Sequence, residues 1–102
     1  MIPNKTIEEL ISRHSLLEKD LSAGTIDKKL FAEKSKEYSD VNEIIENAKN
    51  YISFDKDKKE LEKILNDNSS DEELRNMAET ELNDLQTKHD LNEKKLKLFL
   101  LP

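Results

Sequence analysis

Residues 31–52 read FAEKSKEYSDVNEIIENAKNYI, with neither Gly nor Pro, and with Phe31, Tyr38, Ile45 and Ile52 spaced seven apart. Together with Leu30, Val41 and Ala48 these side chains draw one stripe along a helix. A seven-residue repeat marks a seam packed against another helix rather than the broad face of a compact globule. Beyond Phe54 the stripe weakens across Asp55-Lys56-Asp57-Lys58-Lys59, then resumes at Leu61, Ile64 and Leu65, with no residue that forces a break. One helix over 28–65 is therefore predicted, starting after Thr25 or Asp27 and roughly 55 to 60 Å long.

The flanking segments follow the same logic. Gly occurs once, at position 24, and Pro only at positions 3 and 102, so the interior is written for helix. Upstream, Thr6 with Glu9 three residues later forms a capping box, and Ile7, Leu10, Ile11, Leu17 and Leu21 recur at helical spacing up to Gly24, a residue suited to a left-handed C-terminal cap. This predicts a first helix over 7–21. Downstream, Asn66-Asp67-Asn68-Ser69-Ser70 reads as a hairpin tip, and Ser70 with Glu73 makes a second capping box. From there Leu74, Met77, Ala78, Leu82, Leu85, His89, Leu96 and Phe99 lie near one face, predicting a third helix over 71–99 antiparallel to the second. The expected fold is all-α: a single domain over 1–102, built as a long antiparallel helical hairpin with a shorter N-terminal helix packed against it.

Composition narrows the function. In 102 residues, 17 Lys and Arg stand against 23 Asp and Glu, a net charge of -6 with the two signs interspersed. Such a balance offers no field for a phosphate backbone, and the one local excess of Lys, Lys94-Lys95-Leu96-Lys97, is short, so no direct nucleic-acid binding by this domain is expected. Leu, Ile, Phe and Val account for 27 of the 102 residues. That exceeds the roughly 20% below which highly charged chains stay disordered, but by a small margin, which predicts a weakly stable domain. Without Cys there is no disulfide, thiolate zinc site or cysteine nucleophile, and a reducing, cytoplasmic setting is expected. The longest apolar run, Leu98–Leu101, is far too short for a membrane span or a signal sequence.

Residues able to support chemistry are few. His14 and His89 each lack a second His at i+3 or i+4, and each is read as a half-buried seam residue rather than a base or ligand. Glu8-Glu9 and Glu72-Glu73 sit in first helical turns, where carboxylates favour the dipole end, and Asp55 with Asp57 lies among lysines on a solvated face. The tip starting at Asp67 faintly resembles a calcium loop, but Glu72 occupies the position that needs Gly, and Ala78 the position that needs Glu. A single glycine excludes a phosphate-cradling loop. No catalytic residue, metal ligand or cofactor site is expected, which leaves contact through helix surfaces. Leu96-Lys97-Leu98-Phe99-Leu100-Leu101-Pro102 puts five large apolar side chains into seven positions, more than one helix face can bury against one partner. Leu98, Leu100, Leu101 and Pro102 are the candidate interdomain junction, leading into a larger body; the alternative is that the first helix covers them all.

Several runs carry a resemblance. Ser35-Lys36-Glu37-Tyr38-Ser39-Asp40-Val41, then Leu65-Asn66-Asp67, Asp71-Glu72-Glu73-Leu74-Arg75-Asn76-Met77-Ala78 with Glu81-Leu82, and finally Leu100-Leu101-Pro102, resemble the N-terminal helical domain of the bacterial peptide chain release factor 1 family in order and spacing over nearly the whole chain. The resemblance implies a parent that reads the stop codons UAA and UAG and triggers peptidyl-tRNA hydrolysis. It further implies a monomeric helical domain near the stalk base of the large ribosomal subunit, associated with the GTPase release factor. The family's Gly-Gly-Gln and Pro-x-Thr motifs are absent here, so no residue of this chain inherits a catalytic or codon-reading role. The tip departs from the family pattern in lacking Pro and in being richer in Ser and Asn. A rival reading from the residues alone is a free-standing coiled-coil adaptor or chaperone-like protein, in which the Phe31, Tyr38 and Ile45 seam is buried between two chains.

Overall fold

A computed structural model describes all residues, Met1–Pro102. It has three helices and no strand: α1 (Asn4–Ala23), α2 (Lys28–Asn66) and α3 (Glu72–Leu100). The all-α hairpin with a shorter first helix is the fold that apolar spacing predicts. At 1.5 Å per residue the unbroken α2 is roughly 58 Å long, and it sets the 61 Å long axis of the molecule. The charged stretch 55–59 does not interrupt it: Phe54 is buried, and the Lys58 ammonium lies 5.8 Å from the centroid of the Phe54 ring.

α2 is the central element. α1 packs antiparallel on its first half and α3 antiparallel on its second, while the backbones of α1 and α3 do not pack on each other. Cross-links give the registers: His14 with Asn42 and Asp20 with Lys34 between α1 and α2, Asn47 with Asn92 between α2 and α3. Apolar side chains consequently surround α2 where its two partners overlap. The core there joins Ile2, Ile7, Ile44, Ala48, Tyr51 and Leu96, with Leu10, Ile11, Ile52 and Phe99 against it.

The helix starts differ from the capping boxes. α1 begins three residues before the predicted position, at Asn4, with Pro3 as N-cap (φ -59°, ψ 135°) and no side-chain cap. Thr6 is inside the helix; its N–H donates to the Pro3 carbonyl at 3.1 Å. The cause is tertiary: Ile2 is buried, and its N–H donates to the Tyr51 hydroxyl at 3.0 Å, which anchors the chain just ahead of a proline whose fixed φ suits a helix start. At the tip, Ser70 does not cap α3. Asp71 does, its Oδ1 accepting from the Leu74 N–H at 2.7 Å. Ser70 is used instead in the turn, where its N–H donates to the Asp67 carbonyl. Asp27 caps α2 in the same way through Leu30, and Gly24 closes α1 in the left-handed conformation at φ 70°.

Two stretches of the predicted stripes are uncovered. Phe31 is 47% exposed, whereas Tyr38 is half-buried and Ile45 buried. The antiparallel register brings the last turn of α3 only as far as the region of Asp40 and Glu43, so the first turns of α2 have α1 on one flank and no second partner. Leu74 and Met77 are exposed because the distal half of the hairpin contains two helices rather than three, and α3 buries only the narrow stripe through Ala78, Leu82 and Leu85 there.

Candidate functional site

The two histidines stand apart along α2, one beside Tyr38 and the other beside Tyr51 and Phe54. His14 is buried against α2, its Nε2 2.8 Å from Asn42 Oδ1 and its ring stacked on Tyr38 with centroids 4.9 Å apart. The carbonyl oxygen of Asn42 accepts, so Nε2 carries the proton in this arrangement. His89, on α3, is half-buried and stacks on Phe54 at 3.7 Å and on Tyr51 at 4.7 Å, with Nδ1 buried and unpartnered. Both are seam residues, as their spacing predicts. They share no cluster with each other, and no group of three or more His, Asp or Glu side chains is arranged to hold a metal ion.

The acidic residues are deployed in ion pairs and turns. Arg13 donates from Nε and Nη2 to both oxygens of Glu37, at 2.6 and 2.7 Å, tying α1 to α2. These hydrogen bonds hold the Glu37 carboxyl below the usual carboxylate range and push the Arg13 guanidinium up. Asp67 Oδ1 accepts from the N–H and hydroxyl of Ser69, which lowers its pKa and fixes the hairpin tip, while its carbonyl accepts from Arg75 Nη2. The oxygens of the calcium-like tip are thus engaged in shaping the turn. Glu93 is held at about 2 by hydrogen bonds from Lys97 and then from the amino group of Met1. That carboxylate belongs to the contact by which the start of the chain docks on α3. Glu8-Glu9 and Glu72-Glu73 are solvent-exposed.

The last turn of α3 divides cleanly. Leu96 is fully buried and Phe99 packs against the core, but Leu98 is 70% exposed, Leu100 38% and Leu101 66%, with Pro102 also exposed. The start of the chain packs with Leu96 and Phe99 but leaves Leu98, Leu100 and Leu101 uncovered. Here the structure presents apolar surface at the place the sequence marked as a junction.

A second surface was not apparent from motifs. Along the distal half of the hairpin, α2 and α3 leave an open groove of about 550 Å³, lined by Asp57, Glu60, Glu81 and Asp84 above a floor of Leu61, Ile64 and Leu85, with Lys88 at one end. A separate hollow on α3 itself, including Glu73, Met77 and Thr80, shares Glu81 with it. None of these carboxylates is in an ion pair within the chain. Charge counted by segment carries the signal: residues 54–92 hold 12 Asp and Glu against 6 Lys and Arg, which is the whole net charge of -6, and the remaining residues balance at 11 against 11.

The PCRF domain family matches residues 10–102. Peptide chain release factor 1 of Pelagibacter ubique (strain HTCC1062) is 65% identical over 102 residues, covering 100% of this chain and 29% of that protein. The chain is similar at lower identity to the proteins of the same name from Orientia tsutsugamushi (strain Boryong), 34% over 94% of the chain and 26% of that protein, and Magnetococcus marinus, 33% over 100% of the chain and 29% of that protein. It thus spans under a third of the length of these relatives. No solved structure matches it.

Proposed function

The chain belongs to the peptide chain release factor family through its PCRF domain, and from that premise we propose that it is the N-terminal helical domain of a class-I release factor that ends protein synthesis at UAA and UAG. The observation that carries the reading is 65% identity over the whole length of the chain to a release factor 1. Within such a factor the domain positions and regulates. The sequence contains neither Gly-Gly-Gln nor Pro-x-Thr, the motifs to which the family resemblance assigns hydrolysis and codon reading. Hydrolysis of peptidyl-tRNA is the work of other parts of the factor, so this domain is not itself an enzyme.

In this reading Leu98, Leu100, Leu101 and Pro102 form the interdomain junction, their exposed apolar surface becoming covered by the body that follows. The domain acts as a monomer in the cytoplasm, at the stalk base of the large ribosomal subunit, with the GTPase release factor as second partner. Against the adaptor reading, Tyr38 and Ile45 are covered within the chain, while Phe31, the third member of that seam, is 47% exposed.

The test has two parts. The gene downstream of the Pro102 codon is expected to continue in frame into Pro-x-Thr and then Gly-Gly-Gln; a stop codon there would overturn the assignment. On ribosomes programmed with UAA or UAG, residues 1–102 are expected to release no peptide at any concentration, whereas the parent factor does; stop-codon-dependent release by the fragment would refute the positioning role.

A further inference from the structure

We infer that the groove between the distal halves of α2 and α3 is a docking site for a basic, amphipathic helical segment of a partner protein. This goes beyond the place of the domain in a release factor and does not depend on it. Three observations converge. The groove has an apolar floor of Leu61, Ile64 and Leu85. Its walls carry Asp57, Glu60, Glu81 and Asp84, none of them paired within the chain. The whole net charge of the molecule is concentrated in the same half of the hairpin.

Charge and shape together select the occupant. Unpaired carboxylates repel a phosphate backbone, which excludes nucleic acid, and they attract Lys and Arg from a distance. An apolar floor between charged walls suits a helix presenting apolar side chains at i, i+3 and i+4 with basic residues on both sides of that stripe. The stretch from Glu81 to Lys88 is roughly 10 Å long, which accommodates about two turns of such a helix. A hydrophobic segment without basic residues would leave the carboxylates desolvated and unpaired, and a basic segment without an apolar stripe would leave the floor uncovered.

The experiment titrates the 15N-labelled chain with an 18-residue helical peptide of Leu and Lys arranged with one apolar stripe, and follows backbone amide shifts. Shifts are expected to concentrate on α2 around Asp57–Ile64 and on α3 around Glu81–Lys88. A scrambled peptide of the same composition, which has no stripe, should bind about tenfold more weakly. Replacing three wall carboxylates together (E60Q, E81Q and D84N) should weaken binding by about tenfold, while the equal charge change elsewhere (E8Q, E9Q and E46Q) should leave it within about twofold. Equal binding of the scrambled peptide, equal loss from both triple variants, shifts spread over α1, or an RNA duplex shifting the same groove residues would each overturn the inference.

Discussion

Leu96→Ala is the substitution that most directly tests how the three helices are held together. Leu96 is fully buried, and of the 29 residues of α3 only it and Ala78 are buried; it enters the cluster made by Ile2 and Ile7 at the start of the chain and Ile44, Ala48 and Tyr51 on α2. Truncating a buried Leu to Ala typically costs about 2–5 kcal/mol, and a value near 3 is expected because an elongated structure lets the surroundings partly close the cavity. With just 12 of 102 residues buried, total stability belongs at the low end for a domain of this size, roughly 5 kcal/mol. The variant should therefore lose more than half of it, with the thermal midpoint falling by roughly 10–20 °C. Urea unfolding followed by circular dichroism at 222 nm reads the effect, with Leu98→Ala as the comparison, since Leu98 is 70% exposed and two residues away on the same helix. That change should stay within about 0.5 kcal/mol of the parent. Equal shifts from the two variants, or a Leu96→Ala midpoint indistinguishable from the parent, would refute the assigned core.

Other expectations follow from the caps and ion pairs. Asp71→Ala should destabilise the chain by about 1 kcal/mol in urea, and Ser70→Ala by much less, because Asp71 holds the Leu74 N–H; the reverse order would return the cap of α3 to Ser70. Gly24→Ala should cost about 1 kcal/mol through the left-handed backbone alone, since an added Cβ meets nothing within 4 Å; an unchanged midpoint would mean that the α1–α2 turn relaxes freely. For pH, the Glu93 carboxyl is held at about 2 against an ordinary 4.5, chiefly by Lys97. A depressed folded-state pKa adds stability above the ordinary value that is lost as pH falls from about 4.5 toward 2. Glu93→Gln should accordingly be less stable than the parent at pH 7, and the difference should shrink toward zero near pH 2; a difference that stays constant across that range would show that the loss is steric.

What was readable in the residues, and what was not, separates by the range of the interaction. Helix content, the hairpin turn and the left-handed stop at Gly24 are local matters, governed by the absence of Gly and Pro and by apolar spacing along a few turns, and these were legible. The helix ends were less so. Thr6 and Ser70 satisfy the pattern of a capping box, yet a buried Ile2 bonded to Tyr51 pulled the start of α1 forward, and the turn built on Asp67 claimed Ser70. A cap is worth about 1 kcal/mol, and anchoring by distant residues readily outweighs it.

By itself the sequence determined an all-α chain with α2 as its long central helix, two seam histidines, an apolar last turn and a family resemblance carried by the order and spacing of several runs. Tertiary structure decided which parts of each stripe are covered. Phe31 and Tyr38 have equal standing in a seven-residue repeat, but Phe31 stays 47% exposed whereas Tyr38 is stacked on His14, because coverage depends on where the neighbouring helix runs out. The acidic groove is likewise a product of pairing: Asp57 and Glu81 are far apart in the chain, and the antiparallel register of α2 and α3 brings them to one flank. Periodicity fixes which face of a helix is apolar, whereas the surface available to another molecule is fixed by what lies beside that face.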